Sequence, residues 1–112
     1  MSRLKDKKCT PCEKGGSPLK ADEISPLKEQ IDAGWNIHDN HHLERSFSFE
    51  NFSEALEFTN RLGAVAEEEG HHPDIHLSWG KVIVELLTHE VGGLTENDFI
   101  SAAKYDQVFR ES

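Results

Sequence analysis

Imidazole changes protonation near neutral pH, and three of the seven histidines in this chain fall where two elements should meet. His71 and His72 stand side by side between Gly70 and Pro73. A proline restricts the residue before it to extended geometry, so the pair is held in a defined corner. His89 follows an apolar run from Lys81 to Thr88. If that run pairs with Asp74 to Ser78 across a turn at Trp79-Gly80, its far end returns beside the corner and brings His89 close to His71 and His72. Three imidazoles in one pocket could donate and accept protons on a single bound molecule, which is what general acid–base catalysis needs.

Two other readings of the same residues compete. Three histidines plus water is a catalytic zinc arrangement. Neighbouring side chains on extended backbone point to opposite sides, however, and no His-x-His or His-x-x-x-His spacing joins the pair to His89. A double histidine at a loop corner also often does no more than satisfy a helix end. The remaining four, His38, His41, His42 and His76, fall in or beside a polar turn or on an alternating strand and read as surface or contact residues. Cys9 and Cys12 form a C-x-x-C pair, but a redox motif opens a helix after a strand and a closed zinc site needs two further ligands. Neither context is visible, and the pair reads as structural or incidental.

The elements that must position the histidines follow from periodicity. Residues 1–21 are Lys-rich with Pro11, Pro18 and Gly15-Gly16, and read as a flexible N-terminal arm ahead of a single domain at 22–112. Ile24, Leu27 and Ile31 give a short helix at about 23–33, ended by Gly34. Trp35 to His38 and Leu43 to Phe49 flank Asp39-Asn40-His41-His42 as a hairpin. Phe52, Ala55, Leu56, Thr59, Leu62 and Ala66 set a helix over 51–69, stopped by Gly70. A second hairpin spans 74–78 and 81–88, and Thr95 with Asp98 three residues on begins a closing helix. Helix, hairpin, helix, hairpin, helix implies an α+β fold in two layers, a four-stranded antiparallel sheet with three helices on one face. The uncovered face and edges, with Val82, Val84 and Leu86 or the alternate face of that strand as candidate apolar surface, point to a homodimer or tetramer.

Length and charge exclude whole classes of function. The 112 residues suit one core, and 36% hydrophobic with 29% charged residues describes an ordinary globular chain. A net charge of −9 argues against nucleic acid and against anionic membranes. No apolar run approaches a bilayer span and no signal-type segment opens the chain, so a cytoplasmic location is expected.

The stretch Glu67-Glu68-Glu69-Gly70-His71-His72-Pro73-Asp74 is followed by Trp79, Lys81-Val82, Leu87-Thr88-His89-Glu90, Gly93-Leu94-Thr95 and Asp98. Together they resemble the signature of the pterin-4a-carbinolamine dehydratases. Cys9-Thr10-Pro11-Cys12, Gly15-Gly16 and the Trp35 strand resemble the bacterial branch in particular, so the likeness covers nearly the whole chain. The resemblance implies an antiparallel four-stranded sheet with helices on one face. It also implies dehydration of a 4a-hydroxytetrahydropterin to the quinonoid dihydropterin, which recycles the cofactor of aromatic amino acid hydroxylases and needs no cofactor or metal of its own. Carried over by motif, His71, His72 and His89 would be catalytic; the proton chemistry suggests His72 as the principal acid/base, with His89 and His71 sharing the second proton and holding the leaving hydroxyl. Pro73, Thr88, Glu90 and Val91 would join them in contacting the pterin, and Glu67 and Asp98 match acidic positions near the pocket. Animal members, some of which also act as dimerisation partners of a transcription factor, have an aromatic at Ile75 and a basic residue at Asn97; this chain departs there.

Overall fold

Asn51 opens the longest helix by accepting the Glu54 N–H on its side chain at 2.8 Å, and Ala55, Phe58, Leu62 and Ala66 lay one buried stripe along Phe52–Glu69 (α2). The computed structural model describes residues 4–10 and 17–111. In chain order the other elements are Ala21–Lys28 (α1), Asn36–His38 (β1), His42–Ser48 (β2), Asp74–Ser78 (β3), Lys81–Leu86 (β4) and Glu96–Arg110 (α3). Among the described residues no helix is long and apolar enough to cross a membrane.

The two hairpins join through their inner strands to give the order β1-β2-β4-β3, every pair antiparallel. Register runs from Leu43 opposite Leu86 to Ser48 opposite Lys81. Side chains alternate with period two, so Leu43, Phe47, Val82, Val84 and Leu86 share the face that meets Phe58 and Leu62 of α2 and Phe99 and Tyr105 of α3. All three helices cover that face. Val82, Val84 and Leu86 are therefore fully buried and are not the apolar surface expected to draw copies together. The opposite face carries Glu44, Ser46, Ser48, His76, Lys81 and Glu85, with Ile83 as its half-buried apolar member.

Element boundaries shift where the chain makes other bonds. α1 stops at Lys28, not near 33, because Gln30 and Ile31 bond three residues back and the Asp32 N–H is taken by Asp106 Oδ2 at 3.0 Å. β4 stops at Leu86, not 88. Thr88 forms an isolated bridge to Gly93 and closes a tight turn over His89 to Gly92. Gly93 has to be glycine, since a Cβ there would stand 2.7 Å from the Pro18 ring, where the preceding segment crosses and Leu19 donates to the Leu94 carbonyl at 2.8 Å.

Residues 4–10 of the expected arm pack against α3. Leu4 is 3% exposed within a short 3-10 turn, Lys104 Nζ donates to the Lys5 carbonyl at 2.8 Å, and Lys7 pairs with Glu96 at 3.0 Å. With the sheet on one side and this segment on the other, α3 is buried from Asn97 to Ala103. The second cysteine of the C-x-x-C pair, Cys12, lies outside the described residues, as do Pro11 and Gly15-Gly16.

One polar cluster ties the connection between α1 and β1 to β2 and α3. Asp106, 3% exposed at its side chain, accepts the Trp35 indole N–H at 2.7 Å, the Asp32 backbone N–H and the Arg45 guanidinium at 2.5 Å. Arg45 also lies 4.4 Å over the Phe47 ring. Burial pushes the Asp106 carboxyl up, while the Asp32 N–H, the Trp35 indole and Arg45 pull against it. Removing one partner leaves a buried cation and an unsatisfied indole. Asp106→Ala should thus cost about 3 kcal/mol of unfolding free energy in urea titration, and a loss below about 1 kcal/mol would show that the cluster is dispensable.

Candidate active site

Gly70, with φ +69°, ends α2 in the left-handed conformation that glycine adopts without strain, and the chain turns directly into His71, His72 and Pro73 before β3. The corner therefore sits at the end of the sheet where β3 begins and β4 finishes, since Asp74 pairs with Glu85. The turn holding His89 and Glu90 lies at the same end, beginning three residues past Leu86.

Each histidine of the pair is held by a carboxylate, in opposite surroundings. His71 Nε2 lies 2.6 Å from Asp98 Oδ1, with side chains 10% and 0% exposed. His72 Nε2 contacts Glu67 Oε2, with side chains 59% and 78% exposed. The neighbours point to opposite sides of extended backbone, one inward and one to solvent. A carboxylate on one ring nitrogen holds an imidazole's orientation and leaves the other nitrogen for a ligand.

Asp98 occupies the third position of α3, against the positive end of the helix dipole. Its Oδ2 accepts the Thr95 N–H at 2.9 Å and the Thr88 hydroxyl at 2.8 Å. Both Asp98 and Thr88 are fully buried. Neither side chain is among those lining the cleft beside His71; Asp98 braces His71 and Thr88 braces Asp98.

His71 lines a cleft of about 260 Å³ together with Glu69, Gly70, Glu90, Asn97, Cys9 and Thr10. Of the expected site residues, the structure thus brings His71 and Glu90 into one cleft. His72, Glu67 and His89 are exposed around it, and Pro73 and Val91 are half-buried at the same end of the fold. A larger groove of about 470 Å³ beside Glu29, Asp32 and Arg110 contains no imidazole. Among the described residues no three His, Cys, Asp or Glu side chains converge to hold a metal ion.

Sequence reasoning overlooked the wall supplied by the N-terminal segment. The Cys9 N–H donates to Glu69 Oε1 at 2.8 Å, and Thr10 and Asn97 exchange two hydrogen bonds, Thr10 N to Oδ1 at 3.0 Å and Nδ2 to the Thr10 carbonyl at 2.6 Å. The amide at 97, where a basic residue occurs in animal members, is thereby committed to the segment. Burial pushes the Cys9 thiol up, opposed by its contact with Ser101 and assisted by Glu69. That is the reverse of an activated thiolate.

Comparison with known proteins agrees with this architecture. Residues 17–108 match the family model described as pterin 4 alpha carbinolamine dehydratase. A relative from Alkaliphilus metalliredigens is 52% identical over 107 residues, 96% of each chain; one from Rubrobacter xylanophilus is 51% identical over 108, covering 96% of this chain and all of that one. Both carry the name "putative pterin-4-alpha-carbinolamine dehydratase". The crystal structure of a transcriptional coactivator/pterin dehydratase from Brucella melitensis superposes with TM-score 0.76 at 32% identity, covering 82% of this chain and 98% of that one. A pterin dehydratase-like protein identified as a RuBisCO assembly factor in the alpha-carboxysome gives TM-score 0.59 at 26% identity, covering 68% of this chain and 89% of that one.

The two carboxylates that hold the histidines should differ in their weight for folding. Asp98→Ala removes the partner of the Thr88 hydroxyl, the Thr95 N–H and the His71 ring and should lower the unfolding free energy by about 2 kcal/mol or more. Glu67→Ala breaks an exposed pair and should change it by less than about 1 kcal/mol. Urea titration of the two variants checks this, and equal losses would refute the distinction.

Proposed function

Because the chain belongs to the pterin-4-alpha-carbinolamine dehydratase family, we propose that it dehydrates a 4a-hydroxytetrahydropterin to the quinonoid dihydropterin by histidine acid–base catalysis, in a cytoplasmic cycle that regenerates the cofactor of an aromatic amino acid hydroxylase. The observation that carries the reading is the pair of adjacent imidazoles, each held by a carboxylate through one ring nitrogen, beside a cleft.

The reaction breaks the bond from C4a to its hydroxyl oxygen. A proton delivered to that oxygen lets it leave as water, a ring N–H gives up its proton, and the electron pair released forms the new C=N bond. The step needs one donor and one acceptor and no electron transfer, so groups that titrate near neutrality suit it. In this reading His72, exposed and able to exchange protons with solvent between turnovers, is the principal acid/base. His71, fixed by Asp98, takes the second proton, and His89 completes the set with Pro73, Glu90 and Val91 around the pterin. No cofactor enters the scheme.

A homodimer or tetramer belongs to the same proposal. Supporting it are the outer edges of β1 and β3 and the outward Phe52, Leu56 and Trp79, which are 45%, 40% and 69% exposed. Light scattering at micromolar concentration should give a multiple of the 12.7 kDa chain mass, and a monomer would contradict it.

Chelator-treated protein mixed with freshly formed 4a-hydroxytetrahydropterin should accelerate its dehydration over buffer, and His72→Ala should lower kcat by about 10²- to 10⁴-fold with little loss of pterin affinity. Unaccelerated dehydration by the wild-type protein would overturn the reading and leave a protein-binding role, of the kind that the names of the solved relatives describe.

A further inference from the structure

The hydroxyl of Thr88 has one proton, and it is committed. Asp98 Oδ2 takes the Thr95 N–H at 2.9 Å and faces Thr88 Oγ1 at 2.8 Å, so Thr88 donates to it. Thr95 Oγ1 lies 2.8 Å from Thr88 Oγ1, and with the Thr88 proton already placed, that bond runs from Thr95 to Thr88. The two hydroxyls and one backbone N–H form a directed chain that ends on a single carboxylate oxygen. Oδ1 is left for His71 Nε2 at 2.6 Å.

We infer that Thr88 and Thr95 are positioning residues that set the tautomer of His71, placing its proton on Nε2 and leaving the Nδ1 lone pair as the proton acceptor at the cleft. The chain works because a buried carboxylate keeps its charge only when hydrogen-bond donors replace water. With two donors on Oδ2, Asp98 accepts the His71 Nε2–H. With Thr88 silenced, only the Thr95 N–H holds Oδ2, the carboxylate plane is free to turn off Nε2, and the Nδ1–H tautomer, in which the cleft faces a donor where it had an acceptor, competes. The arrangement also gives Thr95 two duties. It caps α3, and it anchors the far end of the chain. A buried hydroxyl whose proton is committed in this way has none to offer a pterin, so Thr88 acts through Asp98 and His71.

The catalytic consequence rests on the dehydratase reading, whereas the tautomer does not, and the test separates the two. In protein labelled with 15N-histidine, the ring-nitrogen shifts of wild-type His71 at slightly alkaline pH should be those of the Nε2–H tautomer. Thr88→Val keeps the branched shape without the hydroxyl. It should bring in the Nδ1–H form, displace the pH profile of kcat for carbinolamine dehydration and lower kcat about tenfold, the worth of one hydrogen bond to a charged group. Thr88→Ser restores the hydroxyl and should return tautomer and profile to within about twofold of wild type. Folded Thr88→Val with the wild-type tautomer and pH profile would overturn the inference, as would an Nδ1–H tautomer in the wild-type protein, which decides the matter even if Thr88→Val does not fold. Failure of the wild-type protein to turn over the carbinolamine would instead strike the functional reading, with the ring-nitrogen shifts still deciding the role of the hydroxyls.

Discussion

Three separate pieces of chain converge on one buried carboxylate. The first turn of α3 supplies Asp98 and the Thr95 N–H, the turn after β4 supplies the Thr88 hydroxyl, and the corner after α2 supplies His71. Burying a charge without compensation costs more than most domains have in net stability, so a dry carboxylate requires its donors to be present together. That requirement fixes how α3 meets the end of the sheet, and with it the position of the cleft. The helix dipole, the capping N–H and the threonine hydroxyl all favour the negative charge that His71 then meets.

Around that point the fold divides rigid from accessible. His71 is locked between α2, α3 and the sheet, while His72, one residue on, projects to solvent beside Glu67. Two adjacent residues thus acquire unlike environments from the alternation of extended backbone alone, and unlike environments are what let chemically identical groups take opposite parts in a proton transfer. A second polar cluster, Asp106 with Arg45, Trp35 and the Asp32 N–H, does for the other end of α3 what Asp98 does for its start. Helix α3 is held by buried carboxylates one near each end, and its neutral middle, Phe99 to Ala103, fills the core between them.

The segment before α1 changes the meaning of that helix. Asn97 and Ser101 would be odd residues to bury against a sheet, yet they face the N-terminal segment, where Thr10 and Cys9 meet them. Polar groups on the second side of a helix are satisfied by backbone that passes over it. The cleft wall made by Cys9 and Thr10 exists because of this crossing.

Periodicity and punctuation sufficed to read from the sequence the two hairpins, the long helix with its Gly70 stop and the closing helix after Thr95, because period two, period 3.6 and capping are local physics. The corner His71-His72-Pro73 and its place beside the end of β4 were legible for the same reason: antiparallel register follows from a two-residue turn. The sequence offered no sign that residues 4–10 would dock, since a lysine-rich stretch has no period and Leu4 is buried only because α3 happens to offer it a surface. Nor could it show that Val82, Val84 and Leu86 face the helices and Ile83 does not, because alternation identifies two faces without saying which is covered. The assignment of Asp98 to His71 and the burial that makes Thr88 a donor to Asp98 were decided by the tertiary structure alone. The two pairings of Asp98, with His71 and with Thr88, span 27 and 10 residues, and no local rule relates residues that only the packing of α3 against the sheet brings within a hydrogen bond.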